Sequence, residues 1–446
     1  MKKIFKVLGL FLLLYGLYYA FQTYPKLDLI SGFSAKSVAS CRFLDDRELQ
    51  NIQKQDNNIN LIDLATNKIN DAEKYATASV YGVKQRKAIY REGLGATLID
   101  DDFDVSAPFE IPKRSVLKNN LVYPYGNLEP KDSVFSNVDY KKLNAAIDNS
   151  FDINNEIKKQ TRSVLVLYKG KLVSEKYAKG FSKNSRLLGW SMTKSVTATL
   201  FGILQKQGKF DITKAAPIKE WQTDKRAIIT TSDLLHMNSG LEWEEDYGTI
   251  SDVTKMLFLS KDMGEVQLKK EGKFSPNTHW NYSSGTTNLL SKILRNQFKT
   301  HQEYLDFWYS ELIDKIGMHS MIVETDMAGN YVGSSYGWAT TRDWAKFGQL
   351  YLNRGNWNGE QLFDASWATF VATPTPTSDG QYGAHFWLNS GKIYPDVPAD
   401  MYRCSGYQGQ MVFIIPSLDL VVVRMGLSED LDFNGMLKGI IDSFKK

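Results

Sequence analysis

The sequence predicts an α+β fold: an antiparallel sheet flanked by helices, an all-helical lobe beside it, and a small α+β module ahead of both. Three patterns carry this expectation. From Met192 the apolar residues Met192, Val196, Leu200, Ile203 and Leu204 recur at helical spacing, and Gly208 follows as a stop. A second helix-like run passes through Leu289, Leu290 and Ile293. Near the C-terminus, residues 411–416 and 420–423 are apolar strand-like runs around a Pro-Ser-Leu-Asp turn. At 446 residues and 43% hydrophobic content, the chain can bury a large core and support one further module.

Along the chain, residues 1–26 read as a signal or membrane-anchor segment, because Lys2, Lys3 and Lys6 precede an apolar run from 7 to 21. The basic flank stays cytoplasmic, which predicts export of the remainder, and Tyr18 spoils a cleavage site, which favours an uncleaved anchor in the membrane. Residues 27–130 read as a small module and linker of unassigned role. They suggest a polar helix around 45–58, strands at 76–83 and 86–90, a turn at Gly93 and Gly95, and a linker around Pro108, Pro112 and Pro124. Residues 131–446 form the main domain. Cys41 and Cys404 are read as two unrelated thiols, with a disulfide as the alternative in an oxidising compartment. A net charge of +4 with no basic cluster among aromatics excludes nucleic acid as the expected partner. The histidines His236, His279, His301, His319 and His385 lack metal-ligand spacing, so no metal is expected.

Chemistry concentrates at three places. Gly189-Trp190-Ser191-Met192-Thr193-Lys194-Ser195 sets a serine and a lysine on one helical face, where the lysine can reach the hydroxyl. A serine is a weak nucleophile and needs such a base, although Ser191 reads equally as a helix cap. The same spacing recurs at Ser115/Lys118 and Ser443/Lys446, which are read as solvated surface pairs. The second place is the loop 276–285, which sets Tyr282 just before a helix; a phenol near an ammonium can shuttle a proton. The third is Cys404-Ser405-Gly406-Tyr407-Gln408-Gly409-Gln410, whose small residues let a substrate approach the strand backbone.

These elements, in this order, resemble the serine β-lactamase and penicillin-binding-protein superfamily, in its class C-like branch with the esterases and 6-aminohexanoate-dimer hydrolases. The resemblance runs from about Asp139 to the C-terminus and takes in residues 163–173, 231–241 and 336–345. It implies a β-lactamase/transpeptidase-like fold and two-step acyl transfer without metal or organic cofactor. By position, Ser191 matches the acylated serine, Lys194 the lysine that activates it, and Tyr282 the general base and acid. The backbone N–H groups of Ser191 and Tyr407 match the oxyanion hole, and Ser284, Cys404, Ser405 and Gly406 the substrate-binding positions. Two departures matter: Cys404 stands where β-lactamases and peptidases carry Lys or His, and Ser284 stands where they carry Asn. The missing cation is not replaced by Arg403, since neighbouring strand residues face opposite ways.

The expected function is therefore hydrolysis of small amides or esters, in the manner of the 6-aminohexanoate-dimer hydrolase-like subgroup. The alternatives are a β-lactamase or D,D-peptidase acting on cell-wall peptides, and a non-catalytic, membrane-tethered cell-wall binding protein. Retention of Ser191, Lys194 and Tyr282 speaks against the last.

Overall fold

The computed structural model describes residues 2–116, 119–130, 134–153 and 158–444. The chain divides into two compact units. The first comprises Met1–Arg91, Gly95–Val105 and Glu244–Lys261; the second comprises Glu92–Leu94, Ser106–Trp243 and Asp262–Lys446.

In the first unit, strands Ala65–Asn70, Tyr75–Val80, Val83–Arg91 and Gly95–Ile99 form an antiparallel meander. The helix Lys26–Asp45 packs on it and buries Leu29, Ile30, Ala35, Val38, Ala39 and Leu44. The polar helix expected around 45–58 shrinks to Leu49–Lys54, because that stretch has almost no apolar face to bury. Small residues bring the buried helix close: a Cβ on Gly32 would lie 3.2 Å from both Leu98 and Phe258. Phe258 sits on the helix Asp252–Leu259, which is how a segment distant in sequence joins this unit. The strand expected at 76–83 breaks, since Tyr81 and Gly82 take positive φ of 53° and 76° and turn the chain into the next strand. The helix Lys2–Thr23 exposes Ile4, Phe5 and Phe11, yet among the described residues no helix is long and apolar enough to cross a membrane.

The second unit holds a six-stranded antiparallel sheet. Its order is Trp387–Leu388, Tyr402–Gly406, Gln410–Ile415, Leu420–Gly426, Thr161–Tyr168 and Lys171–Tyr177, so the last long strand of the chain pairs with the first strand of the domain. Both faces are covered, which is why the central strands read as unbroken apolar runs. On one face Val164, Val166, Phe413 and Val422 share a core with helices Tyr140–Asp148 and Phe433–Ile441. On the other, Leu165, Leu167, Val412 and Val423 meet helices Met192–Lys206 and Thr341–Leu352. The helical lobe adds Ser284–Arg295 and His301–Trp308. This is the α+β architecture expected.

Two expectations change. Ser443 is no solvated surface residue: it is buried and its hydroxyl donates to the Ile440 carbonyl at 2.5 Å. Its partner Lys446, like Lys118, lies outside the described residues. Cys41 and Cys404 are both buried thiols, and neither is in a disulfide.

Candidate active site

Burial fixes the helix that carries Ser191. Met192–Lys206 is enclosed from Met192 to Leu204, so its N-terminus has a set position. Thr193 pins the preceding turn, donating to the Trp190 carbonyl at 2.8 Å and accepting from the Gly337 N–H at 2.9 Å. Trp190 takes φ of 47°, a left-handed conformation that a non-glycine residue keeps only where its surroundings hold it. Its ring packs edge-on against Tyr407 at 5.7 Å.

Ser191 occupies the N-cap position, but its side chain makes no capping bond. Its Oγ instead accepts from Lys194 Nζ at 2.9 Å. The same Nζ donates to Ser284 Oγ and to the Ser334 carbonyl, each at 2.9 Å, and the lysine is 1% exposed. All three ammonium donors are thus used. When Nζ is neutral, its lone pair can face Ser191 and the serine hydroxyl becomes the donor, which is the geometry of proton transfer.

Tyr282 enters from the loop before Ser284–Arg295, a helix started by Ser283, whose Oγ accepts from the Thr286 N–H at 2.9 Å. Lys194 Nζ lies 5.0 Å from the Tyr282 ring centroid. Two aromatic neighbours hold that ring, Trp387 at 5.3 Å and Tyr382 at 5.7 Å.

The third element comes closest through its backbone. A Cβ on Gly406 would stand 2.1 Å from the Gly189 carbonyl and 3.2 Å from the Ser191 nitrogen, so only glycine lets this strand end lie against the serine turn. The following turn, with Gln408 at φ 62° and Gly409 at φ 75°, is held by the buried Arg424, whose Nη1 donates at 2.9 Å to the carbonyls of both.

The structure brings Ser191, Lys194, Tyr282, Ser284 and Gly406 together, with Tyr407 next in the chain and Ser405 half-buried on the strand. Two expected substrate contacts are corrected. Ser284 is fully buried and its hydroxyl holds Lys194. Cys404 faces the core beside Ser195 at 1% exposure, and burial pushes its thiol up to about 12, so it neither lines the cleft nor offers a thiolate. Sequence reasoning missed Ser334, Trp387 and Tyr382. Ser334 acts through its carbonyl and carries no motif, whereas the aromatics between 382 and 387 were a visible signal.

Of the histidines, His385 is buried and His236 half-buried. Burial lowers His385 to about 3, and its ring nitrogens contact the Leu235 carbonyl at 2.6 Å and Thr287 Oγ1 at 2.9 Å. Burial lowers His236 to about 4. Among the described residues no cluster of His, Cys, Asp and Glu could hold a metal ion.

Fold and site together define a serine hydrolase of the β-lactamase/transpeptidase-like class. Residues 154–430 match the Beta-lactamase family, and the chain belongs to that family. It is similar to the 6-aminohexanoate-dimer hydrolase of Paenarthrobacter ureafaciens, at 21% identity over 314 residues, 63% of this chain and 77% of the relative. A Bacillus anthracis structure provisionally assigned as a 6-aminohexanoate-dimer hydrolase superposes with a TM-score of 0.55 at 21% identity, over 68% of this chain and 80% of its own. A family VIII carboxylesterase superposes with a TM-score of 0.51 at 14% identity, over 71% of this chain and 100% of its own.

Proposed function

We propose that this hydrolase cleaves amide or ester bonds of small linear substrates through an acyl-Ser191 intermediate. The contact of 2.9 Å between Lys194 Nζ and Ser191 Oγ is the observation that most supports the reading. Neutral Lys194 takes the serine proton as Oγ attacks the carbonyl carbon. The backbone N–H groups of Ser191 and Tyr407 hold the oxyanion. Tyr282 passes a proton to the departing amine or alkoxide, then relays one from the water that hydrolyses the ester. Metal and organic cofactor take no part in this scheme. The substrate class follows from the departures at Cys404 and Ser284 and from the names of the two kinds of relative, a 6-aminohexanoate-dimer hydrolase and a carboxylesterase.

The test is intact-mass detection of a fluorophosphonate adduct, absent in Ser191→Ala, followed by hydrolysis of p-nitrophenyl esters, linear amides and nitrocefin. Nitrocefin turnover equal to or above ester turnover in kcat/KM would restore the β-lactamase alternative. We also propose export to an extracytoplasmic site with attachment to the membrane, on the basic start of the chain and the exposed apolar residues of Lys2–Thr23. Recovery of the native protein from the cytosolic fraction would overturn that part.

A further inference from the structure

Within the first unit, the two ends of the four-stranded meander differ in chemistry. The turn at Tyr81 and Gly82 closes one end, and the pairing of Val80 with both Ala65 and Val83 brings Leu64, Tyr81 and Val83 together there, with Leu61 just ahead in the chain. All four side chains are large, apolar and exposed. Tyr81 is 77% exposed and takes φ of 53°, where Asn or Gly is the usual residue of such a turn. Its ring thus adds little to the packing of the sheet and costs the backbone some strain. The turn at the opposite end carries Asp71, Glu73 and Lys74 instead, one six-residue strand or roughly 20 Å away.

The buried helix Lys26–Asp45 fixes which of these ends meets the start of the chain. Beside its first turn, Lys84 of the apolar end pairs with Asp28 at 2.8 Å and lies 4.6 Å from the ring of exposed Tyr24. Near its last turn, Arg42 pairs with Asp71 of the polar end at 2.9 Å. The helix Lys2–Thr23, which exposes Ile4, Phe5 and Phe11, therefore enters the unit at the apolar end. Tyr24 and Tyr81 flank that junction, and tyrosine is a residue that settles at the level of lipid headgroups, with its ring on the apolar side and its hydroxyl in water.

We propose that this end of the meander, formed by Leu61, Leu64, Tyr81 and Val83 with Tyr24, seats in the headgroup region of a lipid bilayer. The first unit then stands on the membrane through a second contact beside the helix Lys2–Thr23, and the inference rests on the membrane attachment proposed above. Continuity with that helix favours lipid over a protein partner. The attraction is apolar: Asp28 engages Lys84, and Arg86 lies in the field of Asp28, Asp100 and Asp101, so the cations at this end are offset and anionic lipid is not required.

Cys41 and Cys404 are buried, so a cysteine added at the surface can be labelled selectively. Full-length protein is mixed with phosphatidylcholine vesicles, carrying an NBD fluorophore at Val83→Cys or, as the distant reference, at Glu73→Cys. Lipid with a nitroxide near the headgroup should quench the first label at least threefold more strongly than the second, and added phosphatidylglycerol should leave that difference unchanged. Tyr81→Ser with Leu64→Ser should bring the two labels level while Tm stays that of the parent protein. Equal quenching at the two positions, in protein that floats with the vesicles, overturns the proposal alone and leaves the patch to a protein partner. A difference that survives the two serine substitutions, or that needs phosphatidylglycerol, also overturns it. Protein that does not float with the vesicles defeats the membrane attachment itself, and the seating of the sheet end falls with it.

Discussion

At the scale of single residues, the site depends on how Lys194 is held. Three oxygens at 2.9 Å fix its Nζ, so the amine cannot swing away from Ser191 without breaking the other two contacts. Lys194→Ala should therefore lower kcat/KM for esters by several orders of magnitude. A loss below about tenfold, roughly 1.4 kcal/mol, would remove Lys194 from the role of base. Tyr282→Phe keeps the ring packed between Trp387 and Tyr382 but deletes the hydroxyl, so kcat should fall by roughly 10²–10⁴ with Tm nearly unchanged. Steady-state kinetics beside a thermal melt measures both, and unchanged kcat would exclude the phenol. The Ser191–Lys194 pair was legible because i and i+3 meet on any helix. The Ser334 carbonyl was not, since any residue type can present one.

At the scale of elements, the proposed mechanism rests on a strand end pressed against a helix start. Gly406 makes this approach, and an added Cβ at 2.1 Å from the Gly189 carbonyl cannot be accommodated without moving one backbone or the other. Gly406→Ala should cut the rate of fluorophosphonate labelling at least tenfold while the far-UV spectrum stays native. Labelling at the wild-type rate would mean that the strand end has no part in presenting the Tyr407 N–H. Helix starts, strand pairs and their turns were readable from periodicity and from glycine. The buried helix Lys26–Asp45 was not, because its mixture of small, apolar and charged residues gives a weak stripe whose burial depends on the sheet it meets.

At the scale of the whole molecule, a buried carboxyl sets a pH dependence of stability. Asp326 is 3% exposed, and burial raises it to about 7, although it accepts from the Met263 and Asn330 N–H groups at 3.0 and 2.9 Å. Its unfolded value lies near 4. Between the two, the folded state keeps a proton that the unfolded state has released. Its contribution to stability is therefore full below about pH 4 and is lost as pH rises through 7, by at most about 4 kcal/mol. Asp326→Asn should flatten this response: the wild-type Tm should fall relative to the variant between pH 4.5 and 8. Parallel Tm profiles would show that Asp326 titrates normally.

The sequence by itself determined the local chemistry: the serine–lysine spacing, the tyrosine before its helix, the glycine at the strand end and the order in which they occur. These follow from helical and strand periods and from glycine's missing Cβ, which act within a few residues. Only the tertiary structure decided what each side chain faces. Cys404, Ser284 and Arg403 occupy motif or motif-adjacent positions, yet the first lies in the core, the second holds the lysine, and the third lies unpaired behind Trp387. Strand alternation assigns them to faces, but which face is core and which borders the site depends on elements packed from elsewhere in the chain, and no local period encodes that.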